Sequence, residues 1–228
     1  MEKIQYELQD GVALIRMDDG KANAMDFVFF EEMNNRLDRL EDDSAKTVVI
    51  TGRPGFFSGG LDLKLIAKLS PAEVKGLAEV FARTMLRVFS LPVPTIAGVS
   101  GHAVAGGAML SFSCDLRFAV DGPYRIQMNE VMIGIPVPSW MFLIGRSAIP
   151  TQWFVETFLH AKAYSPVEAV ERGLFQGLIK KEEDVVAYTK GGTESLKVLN
   201  MQAYRTSKNR LRTSEVDHVL QLLKDELR

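Results

Sequence analysis

PTIAGVSGHAVAGGAMLSFSCDLR, residues Pro94 to Arg117, is the stretch on which the reading of this chain turns. An apolar strand runs into a glycine-rich turn, and an apolar helix starts directly out of that turn. Upstream lies a second Gly-Gly turn, in GRPGFFSGGLDLK from Gly52 to Lys64. Taken singly, Gly59-Gly60 and Gly106-Gly107 also read as tight turns or close-packing points. Together they say more, because each follows a buried type of strand and precedes a helix pattern. A helix N-terminus offers unpaired N–H donors and the positive end of its dipole. Two such turns can aim two backbone N–H groups at one point, the arrangement that holds a developing oxyanion. Downstream, Glu130 in RIQMNEVMIGIP is the carboxylate to deliver beside that point, although by itself it also reads as a surface glutamate.

Working outward, IQYEL and VALIRM alternate around Asp10-Gly11 and predict an antiparallel hairpin. DFVFFEEMNNRLDRLEDD places Phe27, Phe30, Met33, Leu37 and Leu40 at helical spacing, with Asp26 as the N-cap. KTVVITG predicts a strand buried on both faces, and residues 71–90 a helix with Pro71 in its first turn. VPTIAGVSG reads as a strand, GGAMLSFSCD as a helix, LRFAVD and YRIQM as short strands, and a helix follows Pro138. Strands alternating with helices argue for an α/β architecture. From Pro166 the chain reads as mostly helical, through PVEAVERGLF, EEDVVAYTKGG and a long charged stretch, with Gly191-Gly192 as a hinge.

A chain of 228 residues, 46% hydrophobic and 25% charged, supports one substantial core or a core with a small appended region. A formal charge of −2 supplies no general reason to bind nucleic acid or an anionic membrane. The basic residues Lys208, Arg210 and Arg212 read as a solvated helix face. The single cysteine, Cys114, excludes an intrachain disulfide and reads as a small buried hydrophobe. No apolar run reaches the ~20 residues of a membrane helix. MEKIQYELQDG is charged and alternating rather than a signal peptide, so the expectation is cytoplasmic. GRPGFFSGG lacks the Lys-Ser/Thr ending of a P-loop, and neither glycine turn has dinucleotide-binding spacing. His102 lies near Ser58, Ser100 and Ser111, yet nothing resembles a GxSxG elbow. His160 and His218 are isolated, and no spacing suggests a metal site.

The chain resembles the crotonase, or enoyl-CoA hydratase/isomerase, superfamily. GRPGFFSGGLDLK is similar to that family's first oxyanion motif, IAGVSGHAVAGGAMLSFSCDLRFA to its second, and MNEVMIGIP to the segment that carries a catalytic carboxylate. KANAMD and AKAYSPVEAVERGLF, the latter from Ala161 to Phe175, also match, so five segments fall in order between about residues 4 and 208. The resemblance implies an α/β fold, a crotonase-like spiral core of repeated ββα units over residues 1–190. A C-terminal helical region, 191–228, would pack on that core or on a neighbouring subunit of a homotrimer or dimer of trimers. It implies an acyl-CoA thioester substrate, with coenzyme A present only as part of the substrate and no separate cofactor. The backbone amides of Leu61 and Gly106 would hold the thioester oxygen. Ser58, Gly59, Gly60, Asp62, Lys64, Gly107, Met109 and Trp140 would surround the substrate, Lys64 near a CoA phosphate and Trp140, with Phe142, along the acyl chain.

The carboxylates then select the chemistry. Family hydratases use two glutamates, and the first aligns here with Met109, which neither accepts nor donates the required proton. The second aligns with Glu130, preceded by Asn129 in place of the usual proline. A single glutamate beside an oxyanion hole suits isomerisation of a 3-enoyl-CoA to the 2-enoyl-CoA: Glu130 removes a proton from C2 and returns it at C4. An apolar wall that includes Met109 would raise the glutamate's pKa and exclude water. Two other readings stand beside this one: a hydratase or related crotonase-type lyase or hydrolase, and a non-catalytic acyl-CoA-binding protein.

Overall fold

The alternating N-terminal segments form β1 (Ile4–Gln9) and β2 (Val12–Met17), antiparallel with Gln9 opposite Val12. Asp10 (φ 51°) and Gly11 (φ 76°) both occupy the left-handed region, as a two-residue turn matched to strand twist requires. A computed structural model describes residues 2–180, 184–196 and 198–228 of the chain. Helix α1 (Phe27–Asp42) opens where the Asp26 carboxylate accepts from Phe29 N at 2.7 Å. Its buried stripe is Phe29, Phe30, Met33, Leu37 and Leu40; Phe27, expected inside, is 40% exposed and Phe29 takes its place.

A unit of two strands and a helix then recurs. The first is β3 (Thr47–Thr51), β4 (Gly55–Ser58), the short α2 (Leu63–Ile66) and α3 (Pro71–Ser90). The second is β5 (Thr95–Val99), β6 (Gly101–Val104) and α4 (Gly106–Ser113). The third is β7 (Leu116–Val120), β8 (Ile126–Gln127), a 3-10 turn at Val131–Ile133 and α5 (Ser139–Ala148). There follow α6 (Thr151–Phe158), α7 (Pro166–Glu171), β9 (Gly177–Ile179), α8 (Val185–Gly192) and α9 (Met201–Glu226). The first strand of each unit enters a sheet of order β1-β2-β3-β5-β7-β9, and the second enters a smaller sheet, β4-β6-β8. Apart from the β1–β2 pair, neighbouring strands run parallel. This is the spiral of ββα units that the family resemblance implies.

Local chemistry explains the helix starts. Ser70 and Glu73 form a reciprocal capping box on α3, with Pro71 in its first turn, and Ser165 and Glu168 do the same on α7. Three expectations need correction. The strand reading of VPTIAGVSG covers two strands in different sheets, divided at Ser100, whose hydroxyl donates to Arg53 O at 2.9 Å. The helical stretch after Pro166 contains β9, which pairs with β7 and completes the large sheet. Gly191 and Gly192 form the last turn of α8 rather than a hinge. In EEDVVAYTKGG, Glu182 and Glu183 lie outside the described residues; the helix starts after Asp184, whose carboxylate accepts from Val186 N and Ala187 N.

Helix α9 crosses α3 and α5, burying Val219 and Leu223 in the core. Its other anchor is polar. Asp115 Oδ2 accepts from Thr95 N and Oγ1, from Tyr204 Oη and from Lys208 Nζ, and Asp115 Oδ1 pairs with Arg212 at 2.9 Å. The Lys208 side chain is 5% exposed and that of Arg212 12%, so neither belongs to a solvated face. Cys114 is buried, as expected, and burial pushes its thiol up to about 12.

Candidate active site

The three strands of the smaller sheet end at Ser58, Val104 and Gln127, side by side and pointing the same way. Leu61, Gly106 and Glu130 each follow one of these ends by two or three residues. Ligand sites of parallel sheets form beyond the carboxyl ends of their strands, and a cavity of about 470 Å³ lies there.

In the first turn, Ser58 is fully buried; its hydroxyl donates to Asn23 O at 2.7 Å and accepts from Gly60 N at 3.1 Å. Met25 N donates to Gly60 O and Asp62 N donates to Met25 O. This parallel bridge uses the groups on either side of Leu61, so the Leu61 amide itself faces away from Met25. In the second turn, Ala105 N donates to Gln127 O at 2.8 Å, tying the turn to β8. Ala105 has φ 49° and ψ −118°, a strained conformation for a residue with a Cβ, costing on the order of 1–3 kcal/mol. It caps α4 without a side-chain acceptor, leaving the Gly106 amide as an orphan donor at the helix N-terminus. Among the described residues, neither the Leu61 nor the Gly106 amide has an acceptor.

The two turns touch backbone to backbone. A Cβ on Gly60 (φ 85°) would lie 2.9 Å from Gly106 N, and one on Gly107 would lie 2.8 Å from the Ser58 carbonyl carbon. Only glycine permits this approach, which brings the two free amides onto one cavity wall.

Glu130, three residues beyond the end of β8, lines the same cavity. It is 5% exposed, and its Oε2 has no hydrogen-bond partner. Burial raises its pKa, partly offset by backbone hydrogen bonds from Glu130 and Asn129. Asn129 also lines the cavity, with a buried and unpartnered Oδ1. Each such acceptor costs about 1–3 kcal/mol when left unpaired, so two at one cavity wall mark a place prepared for a ligand. Apart from Glu226, the other side chains of the wall are apolar, from Ala78 and Phe81 of α3 to Met141 of α5. Trp140 packs edge-on against Phe81 at 5.0 Å between ring centroids.

Of the residues expected at the site, Gly59, Leu61, Gly106, Glu130 and Trp140 line the cavity. Ser58, Gly60, Asp62, Lys64, Gly107 and Met109 do not. Ser58, Gly60 and Gly107 shape the two turns from behind. The Asp62 carboxylate caps α2, accepting from Lys64 N and Leu65 N, while the Lys64 side chain is exposed. Met109 is fully enclosed in the core. Phe142 packs on Phe154 and Phe158 instead of the cavity. His102 accepts from Arg125 N and stacks edge-on with Tyr124, a packing role. Residues that sequence reading missed are Ala78 and Phe81 on α3 and Leu223, Glu226 and Leu227 at the end of α9. No local motif marks them, because a cavity wall built by distant helices leaves no spacing to read.

Comparison with known proteins agrees with this fold. Residues 7–226 match the sequence profile described as enoyl-CoA hydratase/isomerase. The crystal structure of an enoyl-CoA hydratase/isomerase family protein from Pseudomonas syringae is 31% identical, with a TM-score of 0.93 over 99% of this chain and 96% of that one. Human mitochondrial enoyl-CoA delta isomerase 1 is 29% identical over 176 residues, 76% of this chain, which spans 58% of that relative's length. A probable enoyl-CoA hydratase of Bacillus subtilis is 30% identical over 196 residues, covering 83% of this chain and 74% of that one. With its repeated ββα units, paired glycine turns and near-complete profile match, the chain belongs to the enoyl-CoA hydratase/isomerase family.

Proposed function

We propose that the protein isomerises 3-enoyl-CoA thioesters to 2-enoyl-CoA thioesters, with Glu130 as the proton carrier and the Leu61 and Gly106 amides as the oxyanion hole. The observation that carries this reading is the unpartnered Glu130 Oε2 at the cavity that Leu61 and Gly106, with their unpaired amides, also line. The thioester oxygen accepts from both amides, which acidifies C2. Glu130 takes a C2 proton, the electron pair spreads into a dienolate, and the same carboxyl returns the proton at C4. Atoms balance without water or a separate cofactor. Each amide donor contributes roughly 2.7–4 kcal/mol of transition-state stabilisation, and the positioned base a further 10²–10⁴-fold, roughly.

A hydratase requires a second acid–base group. Among the described residues, Glu226 is the other carboxylate on the cavity wall, and it is engaged by Ser139. That engagement favours the isomerase. A homotrimer or dimer of trimers and cytoplasmic residence belong to the same proposal, supported by the family resemblance and by the composition. No described helix is long and apolar enough to cross a membrane.

The test is matched turnover of 3-hexenoyl-CoA and crotonyl-CoA by wild type and Glu130→Gln. Glu130-dependent conversion of the 3-enoyl ester without hydration of crotonyl-CoA is the expected result. Hydration of crotonyl-CoA overturns the isomerase reading, and binding without turnover in either protein points to an acyl-CoA carrier.

A further inference from the structure

We propose that Glu226 is a positioning residue that sets the acyl chain-length limit of the cavity; this rests on the acyl-CoA reading of the same site. Helix α5 lacks a cap of its own. It begins after Pro138, which offers no side-chain acceptor, and its first turn contains no acid. Its first amide is capped from 87 residues away: Glu226 Oε1 accepts from Ser139 N at 3.1 Å and from Ser139 Oγ at 2.5 Å, with Oε2 3.3 Å from the same amide. A carboxylate at a helix N-terminus gains from both the orphan amide and the helix dipole.

The two segments joined by this contact are also two walls of the cavity. Trp140 and Met141 stand on α5 and Pro138 just before it; Leu223 stands in the last part of α9 and Leu227 just after it. Glu226 apart, the side chains around them are apolar, and the other polar groups of the site follow the strand ends. A second tether, Lys75 Nζ to Arg228 O at 2.8 Å, holds the residue two beyond α9 to α3. The cavity is therefore closed by the end of a helix that packs along α5 and whose polar link to α5, among the described residues, is the Glu226–Ser139 contact. A short acyl chain fits inside that wall, and a long one must displace it.

The experiment measures binding of unreactive saturated acyl-CoAs, from butanoyl to tetradecanoyl, with free coenzyme A as the baseline. Affinity should rise about fourfold per methylene while apolar wall remains to be covered, then break where the chain meets α9. In Glu226→Ala the break should move to longer chains. Glu226→Gln should keep it at the wild-type position, because the amide oxygen still accepts from Ser139. In parallel turnover assays, KM for long 3-enoyl esters should fall in Glu226→Ala relative to KM for short ones. An equal loss of affinity at every chain length, or the same break in all three proteins, overturns the inference. Wild type that binds saturated acyl-CoAs no better than free coenzyme A overturns the acyl-CoA reading itself, and this inference with it.

Discussion

Replacing Gly60 by alanine tests the construction of the proposed oxyanion hole while both donor residues keep their identity. The new methyl would lie 2.8 Å from Val104 O, 2.9 Å from Gly106 N and 3.0 Å from Ala105 Cβ. Ordinary contact begins at 3.4 Å, so Gly106 must retreat by about 0.5 Å. A catalytic constellation tolerates about that much before it fails. Losing the alignment of one donor costs roughly 2.7–4 kcal/mol, or ~10²–10³ in kcat. Separately, a side chain at φ 85° costs about 1–2 kcal/mol of stability, a fall in Tm of roughly 2–8 °C for a chain this size. The assay pairs single-turnover kinetics on 3-hexenoyl-CoA with thermal unfolding. Gly76→Ala is the control: nothing lies within 4 Å of that position in the interior of α3, so the same substitution should add about 0.5–1 kcal/mol of stability. A folded Gly60→Ala protein with kcat within about threefold of wild type, under 1 kcal/mol of barrier, would refute the claim that this close approach sets the hole.

The buried charges give further testable outcomes. Burial raises the Glu130 pKa, so the acid limb of kcat/KM should sit above the ordinary glutamate range. The same shift makes ionisation costly to the fold above that range. Glu130→Gln should therefore gain on wild type in thermal melts as pH rises, by about 1–3 kcal/mol at pH 8, and the gap should close at low pH. A gap that stays constant with pH would contradict the burial argument. Burial alone would raise the Asp115 pKa, but the Lys208 and Arg212 charges and the hydrogen bonds overcome it and hold the group below the usual carboxylate range. Its stabilising share is present above that range and lost as pH falls through the lower folded value. Asp115→Asn should cost about 3–5 kcal/mol in urea unfolding at pH 7, because Lys208 is left buried without its counter-charge; a loss below about 1 kcal/mol would mean the cluster behaves as a surface pair. Met109→Glu places a carboxylate in the closed core, and melting should show a loss of several kcal/mol. A folded variant that hydrates crotonyl-CoA would show that position 109 reaches the substrate after all.

Much of the fold is legible because it is written in local patterns. The Asp10-Gly11 hairpin, the buried TVVIT strand and the Ser70-Pro71 start of α3 each arise from a few adjacent residues. The smaller sheet is only partly so written: β8 falls within YRIQM, which reads as a strand, but GFFS and GHAV, four residues each, are below the length at which alternation separates a strand from a turn. β9 is hidden for the same reason. At the site, Glu130 and the two glycine turns are visible as motifs, but the roles of their neighbours depend on which way each side chain faces. Met109 lies one helical turn from Gly106 yet points into the core, and Asp62 turns back to cap its own helix. The wall contributed by α9 is a product of tertiary packing, and nothing near Leu223 or Leu227 foreshadows it.

The parallel ends of β4, β6 and β8 have a consequence for how such a site can change. Each supplies one group through its own short loop, and the amide pair depends on contact between only the first two. The segment after β8 is therefore a replaceable cartridge. Residues beyond Gln127 can be exchanged for others with a different proton donor or acceptor while the amide pair stays seated. On the proposed reading, such a scaffold keeps the ability to stabilise an enolate constant and leaves the fate of that enolate open to variation. Grafting alternative segments onto residues 128–136 would sample that variation one reaction at a time.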